Sequence, residues 1–142
     1  MLSLLLCCLS LFPKPAKEVS VQGTWKLVSG TVVEKGKSTT TQYTGDKSFI
    51  KVINATHFAF MGHDLSKGKD SATAMYSSGG GTYQLKGDQY TEHLEYCNAR
   101  EWEGHDFTFT LRVTKDSLIQ TGVEKIENLG IERLNVEKYV RY

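Results

Sequence analysis

Residues 106–114 have the sequence Asp-Phe-Thr-Phe-Thr-Leu-Arg-Val-Thr, in which large apolar side chains alternate with polar ones. Successive side chains of a β-strand point to opposite faces, so this period of two predicts a strand with one buried face. Lys115-Asp116 follows as a turn, and strand-forming residues resume at Ser117–Val123. This part of the chain therefore predicts an antiparallel hairpin.

The same pattern extends over the chain from residue 19 onward. Four segments are predicted to connect strands or bend them: a polar, turn-rich stretch at Glu34–Gly45, a loop at Gly62–Ser71, a hairpin turn at Gly79–Gly81, and a bend or bulge at Gly30. One helical turn is predicted at Glu124–Leu129, with Gly130 as its cap. The predicted strands are Gly23–Glu34, Lys47–Ile53, Thr56–Met61, Ala72–Ser77, Thr82–Lys86, Gln89–Cys97, Asp106–Thr114, Ser117–Val123 and Glu132–Tyr142.

Short strands joined by tight turns, with no long helix, predict an all-β fold. We expect an eight- to nine-stranded antiparallel up-and-down β-barrel, because a meander of this length removes its exposed edges by closing on itself. The alternative is a two-sheet sandwich, whose crossing connections would have to be Glu34–Gly45 and Gly62–Ser71. Eight strands enclose room for packed side chains or for one small ligand.

The first 18 residues differ from the rest in composition. Met1–Phe12 contains six leucines, two cysteines and no charged residue. This run is too short to span a membrane but fits the apolar core of a secretory signal peptide, although the usual preceding basic residues are absent. We therefore expect a leader and linker over residues 1–18, one domain over residues 19–142, and a secreted or periplasmic protein. Lipid attachment at one of the two cysteines is a weaker alternative, because Leu6 is not small.

Charge and composition exclude several classes of function. The 142 residues carry 17 basic and 16 acidic side chains and a net charge of +1, so nothing drives attraction to nucleic acid or to anionic membranes. The four histidines and Cys97 show none of the spacings typical of metal sites. We predict no cofactor, no metal site and no nucleic-acid partner, and we leave the oligomeric state open.

Three segments resemble the lipocalin-like (calycin-type) small β-barrels. Gly23–Val28 resembles the Gly-x-Trp signature of the first strand, and Val136–Arg141 is similar to the closing strand. Gly81–Glu92 is similar to a hairpin of secreted lipocalin-like proteins of unknown function from Bacteroidetes-type bacteria. The resemblance implies a barrel with a tryptophan plugging one end and room for a cavity, and it brings no known activity with it. The further motifs, C-terminal helix and disulfide of conventional lipocalins are absent.

Alternation along Gln89–Cys97 places His93 and Glu95 on one face as neighbours about 7 Å apart, opposite Tyr90, Glu92 and Leu94. One of these faces points into the barrel, so at least one acidic group is expected to line the cavity. His93 and Glu95 are candidate ligand anchors, or a general base and its partner; the alternatives are a surface ladder of charge pairs and a satisfied buried network.

Six further side chains are candidate ligand-binding residues. Glu137, Tyr139 and Arg141 share one face of the last strand, where they would anchor a charged ligand or neutralise one another. Gln120 is flanked by an apolar residue and a glycine, so it either faces the cavity or points outward from a twisted strand. Tyr83 and Trp102 are aromatic candidates, and Trp102 is expected to cap the barrel mouth or touch a ligand or partner.

Three functions remain open at this point. The leading hypothesis is a barrel that binds a small, partly hydrophobic or amphipathic molecule, and the alternative is a structural or partner-binding barrel filled by its own side chains. A small hydrolase or isomerase using His93 and a glutamate is third. No catalytic residue is assigned.

Overall fold

The computed structural model describes residues 19–142, which form nine β-strands and two short 3₁₀ turns. The turns are Arg100–Trp102 and Glu127–Leu129, the second capped by Gly130 in the left-handed region as expected. The strands are β1 (Gly23–Glu34), β2 (Lys37–Gln42), β3 (Lys47–Ile53), β4 (His57–Asp64), β5 (Tyr76–Lys86), β6 (Gln89–Cys97), β7 (His105–Val113), β8 (Ser117–Ile126) and β9 (Ile131–Arg141).

The strands close into an antiparallel barrel. From β3 to β9 each strand pairs with the next, and β9 returns to pair with β1, whose first residues pair with β3. These eight strands make the closed ring, and β2 is an additional strand paired to the second half of β1. The predicted up-and-down barrel is therefore confirmed, and the sandwich alternative is wrong.

One end of the barrel is plugged by Trp25, whose side chain is fully buried. Its indole nitrogen donates to the Val21 carbonyl at 2.8 Å, and the Arg141 guanidinium lies 4.0 Å from its ring centroid. Gly23 has a φ of +137°, and a Cβ there would lie 2.6 Å from Arg141. Glycine at position 23 therefore leaves space for the Arg141 side chain to stack on Trp25. This contact joins the first and last strands of the barrel.

The three consecutive glycines do not form the predicted hairpin turn. They lie inside β5, which runs from residue 76 to residue 86, so the predicted strand at Ala72–Ser77 is also misplaced. A Cβ on Gly80 would lie 2.6 Å from the Phe58 carbonyl oxygen, and one on Gly81 would collide with the His93 carbonyl. The glycines are thus required by the close approach of β4 and β6 on either side.

Other predicted boundaries need smaller corrections. The polar stretch after β1 contains strand β2, reached through a tight turn in which Lys35 and Gly36 have φ of 50° and 76°. The irregularity in β1 lies between Leu27 and Ser29 rather than at Gly30. Strand β4 continues to Asp64, so the loop begins later than expected. The expected leader and linker lie outside the described residues.

Candidate functional site

The barrel holds an internal cavity of about 400 Å³ at the end opposite Trp25. Its mouth is formed by β2, the 3₁₀ turn Arg100–Trp102 and the beginning of β9, and its floor by polar side chains near the middle of the barrel. The lining is mixed, since ten of its residues are polar or charged; its large apolar side chains are Tyr43, Phe49, Phe60, Leu94, Trp102, Phe107 and Phe109.

The floor of the cavity is a buried ion pair. Lys51 on β3 donates to Glu92 on β6 at 2.6 Å and to Gln120 on β8 at 2.9 Å, and the three residues are 2%, 6% and 2% exposed. The lysine nitrogen also lies 5.7 Å, 5.8 Å and 5.7 Å from the ring centroids of Phe58, Tyr90 and Tyr139. These contacts join three strands that are distant in sequence and separate the open cavity from the packed core beneath it.

The charge state of this floor depends on both partners. Burial raises the pKa of Glu92 above its ordinary value, and the Lys51 ammonium opposes that rise. Glu137 raises the pKa of Glu92 further, because it places a second negative charge in the same cavity. The Lys51 ammonium therefore offsets the cost of burying the Glu92 carboxylate.

Glu137 is a second carboxylate on the cavity wall, and it is half-buried. One of its oxygens accepts the Tyr139 hydroxyl at 2.6 Å. Its neighbours across the strands are Gln120 on β8 and Gly30 on β1. Burial raises the pKa of Tyr139 and of Tyr43, and the Glu137 charge raises both further, so Tyr139 keeps its proton and donates a hydrogen bond to this carboxylate.

Around Tyr43 the wall is an aromatic cluster. Tyr43 packs edge-on against Phe49 with ring centroids 5.7 Å apart, and Phe49 stacks on Phe60 at 5.8 Å. The Tyr43 ring packs beside Gly30 on β1, and Gly30 is the cross-strand neighbour of Glu137. We call Tyr43, Phe49 and Phe60 the aromatic wall.

A second polar group lines the mouth. Arg133 donates to Glu124 at 2.7 Å, Asn135 donates to the same carboxylate at 3.0 Å, and the Arg133 guanidinium lies 4.8 Å from the Trp102 ring centroid. Trp102 in turn packs on Phe107 at 5.7 Å. The tryptophan is thus held across the mouth by a stacked arginine on one side and a core ring on the other.

Four of the eight candidate residues line the cavity. Gln120 lies in its floor, Glu137 and Tyr139 in its wall, and Trp102 at its mouth. The expectation that an acidic group lines the cavity also holds, but in β6 that group is Glu92.

His93 and Glu95 lie on the outer wall, so the structure does not place them in the cavity. His93 is exposed and pairs with Asp106 at 2.6 Å, while Glu95 accepts hydrogen bonds from the backbone and hydroxyl of Thr82. A β-bulge at Glu95 shifts the register of β5 and β6, which turns Tyr96 outward. Cys97 consequently lines the cavity instead.

Tyr83 and Arg141 also lie away from the cavity. Tyr83 packs on Tyr90 with ring centroids 5.1 Å apart and donates to the Asn54 carbonyl at 2.7 Å. Arg141 covers Trp25 at the plugged end and donates to backbone carbonyls there. The predicted neutralisation of Glu137 by Arg141 therefore does not occur, because a strand rises about 3.3 Å per residue and places them at different depths.

Sequence reasoning did not select Lys51 and Glu92. Lys51 lies between Ile50 and Val52, which makes the lysine look like the outward residue of its strand. The available signal was that Phe49, Lys51 and Ile53 share a face. In β6 the flanking apolar side chains of Tyr90 and Leu94 already indicated the inward face.

Two other features bear on the classes of function. Within residues 19–142 no group of three or more His, Cys, Asp or Glu side chains is gathered as a metal site. The described part of the chain also contains no helix long and apolar enough to cross a membrane.

Comparison with known proteins supports the fold. No family model and no curated protein matches the chain. Among solved structures it is similar to an uncharacterized protein from Bacteroides eggerthii DSM 20697, with a TM-score of 0.51 and 15% identity over 85% of this chain and 98% of that chain. At this identity the likeness concerns the barrel architecture, and the lipocalin-like resemblance stays a prediction.

Proposed function

We propose that this protein is a non-enzymatic binding barrel that holds a small, partly hydrophobic molecule in its cavity. The observation that carries the proposal is the open cavity of about 400 Å³, in which aromatic rings lie above a buried polar floor. Ligand sites in proteins typically have this size and combine apolar lining with polar groups that orient the ligand, and the large polar share of this lining suits a partly hydrophobic rather than a wholly apolar molecule.

The competing functions have less support. A structural barrel filled by its own side chains does not need an open cavity with polar groups at its floor. The enzyme hypothesis depended on His93 beside a glutamate in a cleft, whereas His93 lies on the outer wall with Asp106. Binding in the cavity therefore accounts for more of the observed arrangement.

The proposal is tested by titration with N-phenyl-1-naphthylamine, an apolar dye that is uncharged at neutral pH and fluoresces in apolar sites. Thr41 lines the cavity beside Gly30, while its neighbour Thr40 faces outward and bonds to Thr31. The variant Thr41→Trp should obstruct the mouth, and Thr40→Trp is the matched control on the same strand.

We expect saturable dye binding to the wild type and to Thr40→Trp, and at least about tenfold weaker binding to Thr41→Trp, which corresponds to about 1.4 kcal/mol. Equal binding to both variants would place the dye outside the cavity. Absence of binding to the wild type would contradict the proposed function.

We also propose that the protein is secreted or periplasmic, with residues 1–18 acting as a leader. A fusion of residues 1–18 to alkaline phosphatase tests this, because the enzyme requires disulfides that form only after export. Activity above that of a fusion without these residues is expected, and equal activity would refute export by this segment.

A further inference from the structure

The charges that face the cavity are unequal. Its lining contains the cations Lys51 and Arg133 and the carboxylates Glu92, Glu124 and Glu137. Lys51 pairs with Glu92 at 2.6 Å and Arg133 with Glu124 at 2.7 Å. Among the described residues, Glu137 has no cationic side chain within 4.0 Å. The cavity therefore presents one carboxylate whose charge is not locally compensated.

Lys51, the cation at the floor of the cavity, has little to offer an anionic ligand, and the Arg133 guanidinium at the mouth is paired with Glu124. The Lys51 ammonium already donates to Glu92 and Gln120 and is surrounded by the rings of Phe58, Tyr90 and Tyr139. A ligand carboxylate placed above it would lie beside Glu137 in a site of low dielectric, where repulsion between like charges is strong.

Glu137, in contrast, is arranged as an acceptor. One oxygen is fixed by the Tyr139 hydroxyl at 2.6 Å, which orients the carboxylate. The aromatic wall adjoins it through Tyr43, whose ring packs beside Gly30, the cross-strand neighbour of Glu137. A carboxylate next to aromatic faces suits an alkylammonium group, which gains both an ion pair and a cation–π contact.

We propose that the cavity selects small amines, with the ligand ammonium bound by Glu137 against the aromatic wall and the apolar body of the ligand filling the rest of the cavity. This inference rests on the proposed function and specifies the ligand class for the same site. Arg141 does not counter this preference for a cation, because it is committed to the plugged end.

The test is displacement of N-phenyl-1-naphthylamine by three probes that share a phenyl ring: 2-phenylethylamine, 2-phenylethanol and 3-phenylpropanoate. We expect the amine to displace the dye about tenfold more effectively than the alcohol, because only the ammonium adds an ion pair with the Glu137 carboxylate. The carboxylate should be the weakest of the three. In Glu137→Gln the amine should fall to the level of the alcohol, whose affinity should be unchanged.

Glu132→Gln is the matched control, since Glu132 is an exposed residue on the same strand and makes a surface ion pair with Lys125. It should keep the preference for the amine. Equal displacement by amine and alcohol in the wild type, a preference that survives in Glu137→Gln, or no displacement by the amine at millimolar concentration would each overturn the inference. If the dye itself does not bind the wild type, the proposed function fails first.

Discussion

Replacing Lys51 by methionine should destabilise the barrel strongly, because it removes the cation from a buried pair. The lysine and glutamate side chains are 3% and 8% exposed, and the two charged atoms are 2.6 Å apart. Removing one partner of such a pair leaves an uncompensated buried charge, which typically costs about 3–5 kcal/mol. Lys51→Met keeps the length of the side chain, so the loss would reflect charge and hydrogen bonding more than packing.

The loss should depend on pH in a defined direction. Burial raises the pKa of Glu92 in the folded protein, and without Lys51 nothing equivalent opposes the rise. The folded-state pKa of Glu92 then lies above its unfolded value of 4.5. Protonated Glu92 therefore contributes its full stabilisation below pH 4.5, and this stabilisation is lost as the pH rises through the folded-state pKa. The pKa of Glu92 is already raised in the wild type, so the additional loss in Lys51→Met falls between the folded-state pKa of the wild type and the higher one of the variant, at up to about 1.4 kcal/mol per pH unit.

Urea unfolding followed by far-ultraviolet circular dichroism at about pH 5 and about pH 8 measures both effects. Lys47→Met is the control on the same strand, since Lys47 pairs with the exposed Asp46 and should lose no more than about 1 kcal/mol. The triple variant Lys51→Met, Glu92→Met, Gln120→Met removes the whole network and should regain most of the stability. A Lys51→Met loss below about 1 kcal/mol, or one independent of pH, would refute this reasoning.

Two further predictions concern the wall and the plugged end. Gly81→Ala should cost about 2–4 kcal/mol in urea unfolding, because the new methyl group collides with the His93 carbonyl, whereas Gly45→Ala, which meets nothing within 4 Å, should stay within about 0.5 kcal/mol. Arg141→Met should cost about 1–2 kcal/mol, because it removes a guanidinium that covers Trp25 and bonds to three backbone carbonyls; an unchanged midpoint would contradict that role.

Strand number and closure could be predicted because they depend on local patterns. The alternation in residues 106–114 and the turn at Lys115-Asp116 each indicate their own structure without reference to distant residues. Strand β2 was missed because Lys37–Gln42 is polar on both faces and lies at the edge of the sheet. The three consecutive glycines were predicted to form a turn. They are needed because the backbones of the neighbouring strands come close to β5, and sequence periodicity carries no information on that approach.

The cavity floor could be predicted only in part, since it depends on register. Glu92 follows from the apolar neighbours on its face, but its pairing with Lys51 requires knowing which levels of β3 and β6 face each other across the barrel. The bulge at Glu95 then reverses the alternation for the last residues of β6. This one extra residue turns Tyr96 to the outer face and Cys97 to the cavity, and no local pattern in β6 predicts the bulge.

The most direct test of cavity binding is a ¹H–¹⁵N nuclear magnetic resonance titration of the labelled protein with N-phenyl-1-naphthylamine. We predict shifts for groups lining the cavity, among them the amides of Gly30 and Thr41 and the indole of Trp102, while Gly87 at the plugged end stays unchanged. Shifts confined to the outer wall around Asp106, or no shifts at saturating dye, would contradict the proposal that the open end of the barrel is a binding site.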